Sequence, residues 1–305
     1  MLKSPSNTDS FSRRAQRFWQ QRQRRAGALG YSGYLLDESP QAIGQQRFRG
    51  EWRDLQAWLR RRPVARGRCL DLGCGTGVWL QALAGEFQEA EGWDYAPAMV
   101  TASRQRLKRA GIRNAKVRLG SLSTRKGKAV FDLIFVGGVL MYTPDAQLKP
   151  LLLSLRRLLK PGGALLLRET TLASGTWSRQ GLPLRPGLLA QPHATDPDAD
   201  YVAIYRSPAA LQLALRAAGL QVLAQRPNRH YKLSDLTEDW LRRLDFLVSG
   251  RLRGNAAWAE RAAAWIHGAR WLLLYPEYFL RPWKLQNHWF YCVQDPRRSS
   301  TWNER

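Results

Sequence analysis

The sequence predicts an α/β fold built on a doubly wound, mostly parallel sheet. Residues 68–78, RCLDLGCGTGV, alternate as a short buried strand does and then break into glycines before a helix begins near Val78. Residues 129–138, AVFDLIFVGG, form an almost continuous apolar run, which is typical of a strand covered on both faces. Helical patterns separate these strands from their neighbours, and that alternation is typical of βα units.

The composition indicates a chain with a substantial core. It has 305 residues, of which 44% are hydrophobic. Three cysteines are too few for a disulfide framework, so we expect a reducing, cytoplasmic location. No apolar run reaches about 18 residues, and no signal-peptide pattern follows Met1, so the sequence predicts no transmembrane segment.

The net charge of +24 has two open explanations. A strongly positive field attracts an anionic partner such as nucleic acid. A coding preference for Arg would raise the charge throughout the chain without any partner. The basic residues extend from Arg13 to Arg298, which favours the second explanation.

The N-terminal part, residues 1–62, is predicted to be a basic helical extension or cap. A helix around 11–25 and a second one ending before Pro63 fit its pattern. Between them Tyr34 lies in a Gly-rich stretch. It either covers a ligand or packs under the first helix.

The glycine turn is the most informative motif. Its spacing is G-x-G-x-G, with Asp71 two residues before the first glycine, whereas a dinucleotide site needs G-x-G-x-x-G. Asp94 ends the second predicted strand, where an acid either accepts hydrogen bonds from a ribose diol or caps the next helix. The turn therefore predicts a ligand cradle whose spacing differs from that of a dinucleotide site.

Three stretches resemble the class I S-adenosylmethionine-dependent methyltransferases: LDLGCGTG at 70–77, GWDYAPAMV at 92–100 and LKPGG at 159–163. The resemblance runs from Arg68 to Gly163. It implies a Rossmann-like sheet of seven strands with an antiparallel last strand, and S-adenosylmethionine as the cofactor. Tyr95 and Met99 would flank the adenine, while Ser121 and Leu122 would replace an acid that the family often has. The implied cofactor-binding residues are Asp71, Gly73, Cys74, Gly75, Gly77, Asp94, Tyr95, Met99, Ser121, Leu122 and Gly137.

Acceptor residues are expected at the carboxyl ends of the strands. Glu169 ends the fifth strand as either an acid/base or an ion-pair partner of a nearby Arg. His193 lies in the segment 171–200, which we interpret as a substrate lid, and it is either a base or simply exposed. Tyr142 is a further catalytic candidate. The candidate acceptor-binding residues are Tyr34, Tyr205 and Arg206.

The remaining boundaries follow from composition. Residues 63–227 form the predicted methyltransferase core, residues 228–284 a Trp- and Arg-rich helical insertion, and residues 285–305 the last strand and tail. The stretch 256–284 either packs as a cap or makes peripheral membrane contact.

The predicted activity is methyl transfer to a hydroxyl or amine of a metabolite, sugar or lipid-linked acceptor, without a metal. The residues after the fourth strand, GGVLMY, lack the Asn-Pro-Pro motif of base-amino methyltransferases. The alternatives are an RNA or protein methyltransferase, and a non-catalytic S-adenosylmethionine-binding or scaffold protein.

Overall fold

The fold was analysed in a computed structural model. It describes residues 7–29, 41–62, 64–120, 129–171, 176–180, 202–228 and 286–294. The helices of this part are α1 (Asn7–Leu29), α2 (Gln41–Arg61), α3 (Val78–Ala84), α4 (Pro97–Arg109), α5 (Asp145–Leu158) and α6 (Pro208–Ala217). The strands are β1 (Arg68–Leu72), β2 (Glu89–Asp94), β3 (Ala115–Leu119), β4 (Phe131–Gly137), β5 (Leu159–Thr171), β6 (Thr176–Gln180), β7 (Val202–Arg206), β8 (Leu220–Pro227) and β9 (Gln286–Gln294).

The described strands form one mixed sheet. Five parallel strands lie in the order β3-β2-β1-β4-β5. Strand β9 pairs antiparallel with β5 along eight residues, and β8 pairs antiparallel with β9. These seven strands confirm the predicted mostly parallel sheet with an antiparallel last strand.

A hairpin of β6 and β7 extends the sheet beyond the predicted seven strands. The two strands pair antiparallel, and Thr171 of β5 is in register with Arg206 of β7. The segment 171–200, which we interpret from the sequence as a substrate lid, therefore contains a strand at Thr176–Gln180. The reason is that β7, more than twenty residues away, supplies the ladder that holds this polar stretch. The rest of the predicted lid, 181–201, lies outside the described residues together with His193.

Local signals correctly place the ends of several elements. Helix α6 begins after Ser207, whose Oγ accepts a hydrogen bond from the Ala210 N–H at 3.2 Å, with Pro208 in the first turn. Between α5 and the body of β5, Gly162 takes a φ of +74°, which allows the turn after Lys160 and Pro161. Both features are sequence signals that mark where a helix begins or ends.

Apolar residues cover both faces of the sheet. On one face α5 and α6 pack through side chains such as Leu152, Leu155 and Leu215. On the other face α2 and α3 pack through Leu55 and Leu80 among others. Because both faces are covered, the ends of the strands are where a ligand gains access.

Helix α1 packs across the carboxyl ends of the strands. Gln16 Nε2 donates to the Tyr95 carbonyl at 2.8 Å, next to the end of β2. Phe18 is buried in a cluster with Met141, which follows β4, and with Tyr205 of β7. No helix in the described part of the chain is both long and apolar enough to cross a membrane. Apart from Asn228, the predicted insertion 228–284, including 256–284, is outside the described residues.

Candidate functional site

The glycine turn after β1 combines tight packing with open space. Gly73, Gly75 and Gly77 have φ values of 70°, 53° and 80°. A Cβ on Gly73 would lie 2.3 Å from Cγ2 of Val139, and one on Gly77 would lie 2.3 Å from Oγ of Ser103. A Cβ on Gly75 would meet nothing within 4 Å. Gly73 and Gly77 thus allow the turn to pack, while Gly75 presents bare backbone to an open cradle.

Asp94 fixes this turn to the end of β2. Its Oδ2 accepts from the Gly75 N–H at 2.9 Å, and its Oδ1 accepts from the Ala96 N–H at 2.8 Å. The N-cap residue of α4 is Ala96, so the alternative that Asp94 occupies the cap position is wrong. Burial raises the pKa of the Asp94 carboxyl. The contact to a ribose diol stays a prediction.

Asp71 places a second carboxyl beneath the same turn. It is buried, and the Leu80 N–H in the first turn of α3 donates to it. Its Oδ2 has no hydrogen-bond partner in the described structure. Burial, together with the charge of Asp94, raises the pKa of Asp71 to about 8. Two buried carboxyls that repel each other favour a cationic ligand, because a positive charge offsets both.

The other predicted cofactor residues differ in their surroundings. Met99 and the Tyr95 hydroxyl are buried beyond Asp94, and that hydroxyl has no hydrogen-bond partner in the described structure. Cys74 packs its side chain into the core, and burial raises the pKa of its thiol, so only its backbone is available to a ligand. Gly137 ends β4. Ser121 and Leu122 lie outside the described residues, as does Tyr34, a candidate for acceptor binding.

Glu169 lies at the carboxyl end of β5, beside the glycine turn. Its Oε1 accepts from the Val139 and Leu140 N–H groups, both at 3.0 Å, and Val139 is the residue that packs against Gly73. Its Oε2 is buried without a hydrogen-bond partner in the described structure. Burial raises the pKa of Glu169 to about 7. Such a carboxyl both accepts hydrogen bonds and exchanges a proton near neutral pH.

Glu169 forms no ion pair with a described residue, and the neighbouring Arg168 has another partner. Its Nε and Nη2 donate to the two carboxylate oxygens of Glu51 in α2, at 2.8 and 2.7 Å. Asn228 Nδ2 also donates to Glu51 Oε1 at 2.7 Å. This buried pair fixes α2 to the end of β5.

His288 and Thr171 are polar neighbours of Glu169 that sequence reasoning missed. His288 of β9 is in register with Glu169, so the two side chains share one face of the sheet. Thr171 Oγ1 and His288 Nδ1 share a hydrogen bond of 2.8 Å. Burial lowers the pKa of His288 to about 4, which keeps the imidazole neutral. No local signal reveals this pair, because 117 residues separate its members.

Two residues predicted to bind the acceptor, Arg206 and Tyr205, are buried and contact other parts of the protein. Arg206 is buried and donates to the Asp145 carboxylate and to the Leu140 and Thr143 carbonyls, at 2.6 to 2.9 Å. These bonds connect β7 to the residues that follow β4, and acceptor binding by Arg206 stays a prediction. Tyr205 is buried in the cluster under α1. Tyr142 is half-buried, with its ring 5.6 Å from that of Trp19.

Comparison with known proteins identifies related folds. Residues 69–163 match a family model described as a methyltransferase domain. No curated protein sequence matches the chain. Among solved structures, an S-adenosylmethionine-dependent methyltransferase from Leishmania major is similar with a TM-score of 0.54 and 14% identity, covering 74% of this chain and 79% of that one.

Two further solved structures share the fold. Phosphoethanolamine N-methyltransferase 1 of Haemonchus contortus, in complex with phosphoethanolamine and S-adenosylhomocysteine, has a TM-score of 0.59 and 16% identity. The match covers all of this chain and 52% of that one. A candidate sarcosine dimethylglycine methyltransferase of Galdieria sulphuraria has a TM-score of 0.55 and 15% identity, covering 90% and 98% of the two chains.

Proposed function

This chain carries a class I S-adenosylmethionine-dependent methyltransferase domain, and we propose that it methylates a hydroxyl or amine of a small metabolite, sugar or lipid-linked acceptor. When bound, S-adenosylmethionine supplies an activated methyl group on a positively charged sulfur. The residues that would hold it are Asp71, Gly75 and Asp94. The open space at Gly75 lets a ligand with hydrogen-bond acceptors approach the backbone of the turn. Asp71 Oδ2, which has no hydrogen-bond partner in the described structure, fits a cationic amine of that ligand.

The buried carboxyl of Glu169 is the observation that most supports a hydroxyl or amine as the methyl acceptor. Its Oε1 is held by two backbone N–H groups, which leaves Oε2 for an acceptor hydroxyl or amine that donates a hydrogen bond. When Glu169 is deprotonated, Oε2 takes the proton that such an acceptor loses on methylation. Holding the acceptor in line with the methyl group accounts for most of the remaining acceleration.

The solved relatives support a small acceptor. The Haemonchus contortus enzyme holds phosphoethanolamine, which carries a primary amine, and the Galdieria sulphuraria protein is named for sarcosine and dimethylglycine, which are also amines. We include a cytoplasmic location in the proposal, since the three cysteines are free thiols.

Glu169→Gln tests the acceptor role. A labelled methyl group from the donor first identifies an acceptor in the low-mass fraction of a cell extract. In the variant an amide oxygen still accepts from Val139 and Leu140, whereas the proton acceptor is lost. We expect kcat to fall about 10²-fold or more, with donor Kd changed less than about twofold.

The pH profile distinguishes proton transfer from a structural effect. The wild-type rate should rise as pH passes through about 7, where Glu169 loses its proton, and Glu169→Gln should lose that rise. Glu89→Gln, at an exposed acid, is the matched control and should leave both rate and profile unchanged. An unchanged kcat in Glu169→Gln, or label only in RNA or protein, would overturn the proposal.

A further inference from the structure

The segment between Asp94 and Asp132 has an unusual charge pattern. Its 37 residues contain no Asp or Glu and include ten Lys or Arg. It also holds four of the nine lysines of the chain, although it makes up about an eighth of the length. A coding preference for Arg neither concentrates Lys nor excludes acids. The positive charge of this segment therefore needs a local explanation.

The structure places the described cations of this segment around one edge of the sheet. β3 is the edge strand, and α4 packs next to it. We define the basic edge as its exposed cations that have no carboxylate oxygen within 4 Å in the described structure. They are Arg104, Lys108, Arg109, Arg113 and Lys116. Arg118 is excluded because it pairs with Glu91 at 3.2 Å.

Ordinary structural roles account for only part of this arrangement. Lys108 and Arg109 lie in the last turn of α4, where cations offset the helix dipole. Lys116 protects an exposed edge strand against pairing with another chain, but a charge of either sign serves that purpose. Neither role explains Arg113, nor the complete lack of acids. The same-sign charge fits a polyanionic partner.

The basic edge is rigidly joined to the donor cradle. Arg104 Nη2 donates to the Val117 carbonyl at 3.0 Å, and Arg106 Nε donates to the Thr76 carbonyl of the glycine turn at 2.8 Å. After β3, the Gly120 N–H donates to the carbonyl of Asp94 at 2.9 Å. A partner held on this edge would therefore lie beside the end of β2, where the donor is proposed to bind.

We propose that the basic edge is a docking surface for the phosphate backbone of RNA. The cations of α4 extend from Arg104 to Arg109, about 8 Å along the helix, and Arg113 and Lys116 continue the surface to β3, so five positive charges are available to neighbouring phosphates. An anionic membrane surface fits less well, because interfacial helices also insert an apolar face, and Leu119 is the one exposed large apolar side chain of residues 95–120. This inference goes beyond the proposed function, since docking needs no methyl transfer.

The test compares two variants of the full chain that have the same net charge. Lys108, Arg109, Arg113 and Lys116 are changed to Gln in one, which keeps Arg104 and its bond to Val117. Four exposed cations elsewhere are changed to Gln in the control: Arg61, Arg62, Lys149 and Arg216. Each variant lowers the net charge from +24 to +20, that is 24 − 4. Circular dichroism verifies that both are folded.

The probe is a fluorescein-labelled RNA hairpin titrated by anisotropy at 50 to 300 mM salt, without donor. We expect the basic-edge variant to bind at least tenfold more weakly and the control less than threefold. The slope of log K against log salt should also fall by about 2 to 3 in the basic-edge variant alone. Equal weakening of both variants, no RNA binding by the wild type, or binding only to phosphatidylserine vesicles would overturn the proposal.

Discussion

At the scale of single residues, the pair of buried acids under the glycine turn explains why this cradle suits a cation. The Asp71 carboxyl is buried beside the charge of Asp94, and its pKa of about 8 means that it is largely protonated at pH 7. Asp94 stays committed to two backbone N–H groups. Of the two, Asp71 is thus the acid whose protonation responds to a ligand.

Donor binding should therefore release a proton from Asp71. A cation next to this carboxyl lowers its pKa, so binding at pH 7 converts it from acid to carboxylate, and affinity for S-adenosylmethionine should rise from pH 6 to pH 8. Calorimetry in buffers of different ionisation enthalpy measures the release, which Asp71→Asn should abolish. Glu169→Gln serves as the control and should retain it. Proton uptake, or no dependence on buffer, would contradict this role of Asp71.

At the scale of elements, the glycine turn separates a packing requirement from a ligand requirement. Gly73 and Gly77 have a neighbouring side chain where a Cβ would be, whereas Gly75 has open space. Gly111, after α4, also has a positive φ, of 67°, and nothing within 4 Å of its Cβ position. Gly75 and Gly111 therefore both need a positive φ, but Gly111 is far from the cradle along the chain.

Substitution by Ala should distinguish these two glycines. Gly75→Ala and Gly111→Ala should each lower the free energy of unfolding by about 1 kcal/mol, because Ala disfavours a positive φ. Only Gly75→Ala should also weaken donor binding, by at least tenfold, since its methyl group enters the cradle. Urea unfolding and donor titration of both variants measure the two effects. Equal donor affinity in the two variants would show that Gly75 does not face the donor.

At the scale of the whole molecule, the features that the sequence predicts depend on residues close together in the chain. The features that it misses depend on residues far apart in the chain. The glycine turn and Asp94 depend on residues a few positions apart or on one βα unit, and both lie where predicted. The pairs Arg168 with Glu51 and Thr171 with His288 each join residues 117 positions apart. Hairpin β6–β7 likewise depends on a distant partner strand. Local patterns carry no information on such pairings.

The same distinction separates donor from acceptor in the site. The donor cradle is built from consecutive βα units, whereas the surroundings of Glu169 come from β5, β9 and the residues that follow β4. Arg206 is an example. Its place at the end of β7 suggests acceptor binding, whereas its four hydrogen bonds to other parts of the protein are visible only in the structure.

The most direct test of the central claim is calorimetric titration of the purified wild-type chain with S-adenosylmethionine, with NAD as the competing glycine-turn cofactor. We predict one site with micromolar affinity for S-adenosylmethionine, at least tenfold weaker binding in Asp94→Ala, and no binding of NAD. Folded wild-type protein that fails to bind S-adenosylmethionine, or that binds it equally well after Asp94→Ala, would contradict the assignment of the cradle.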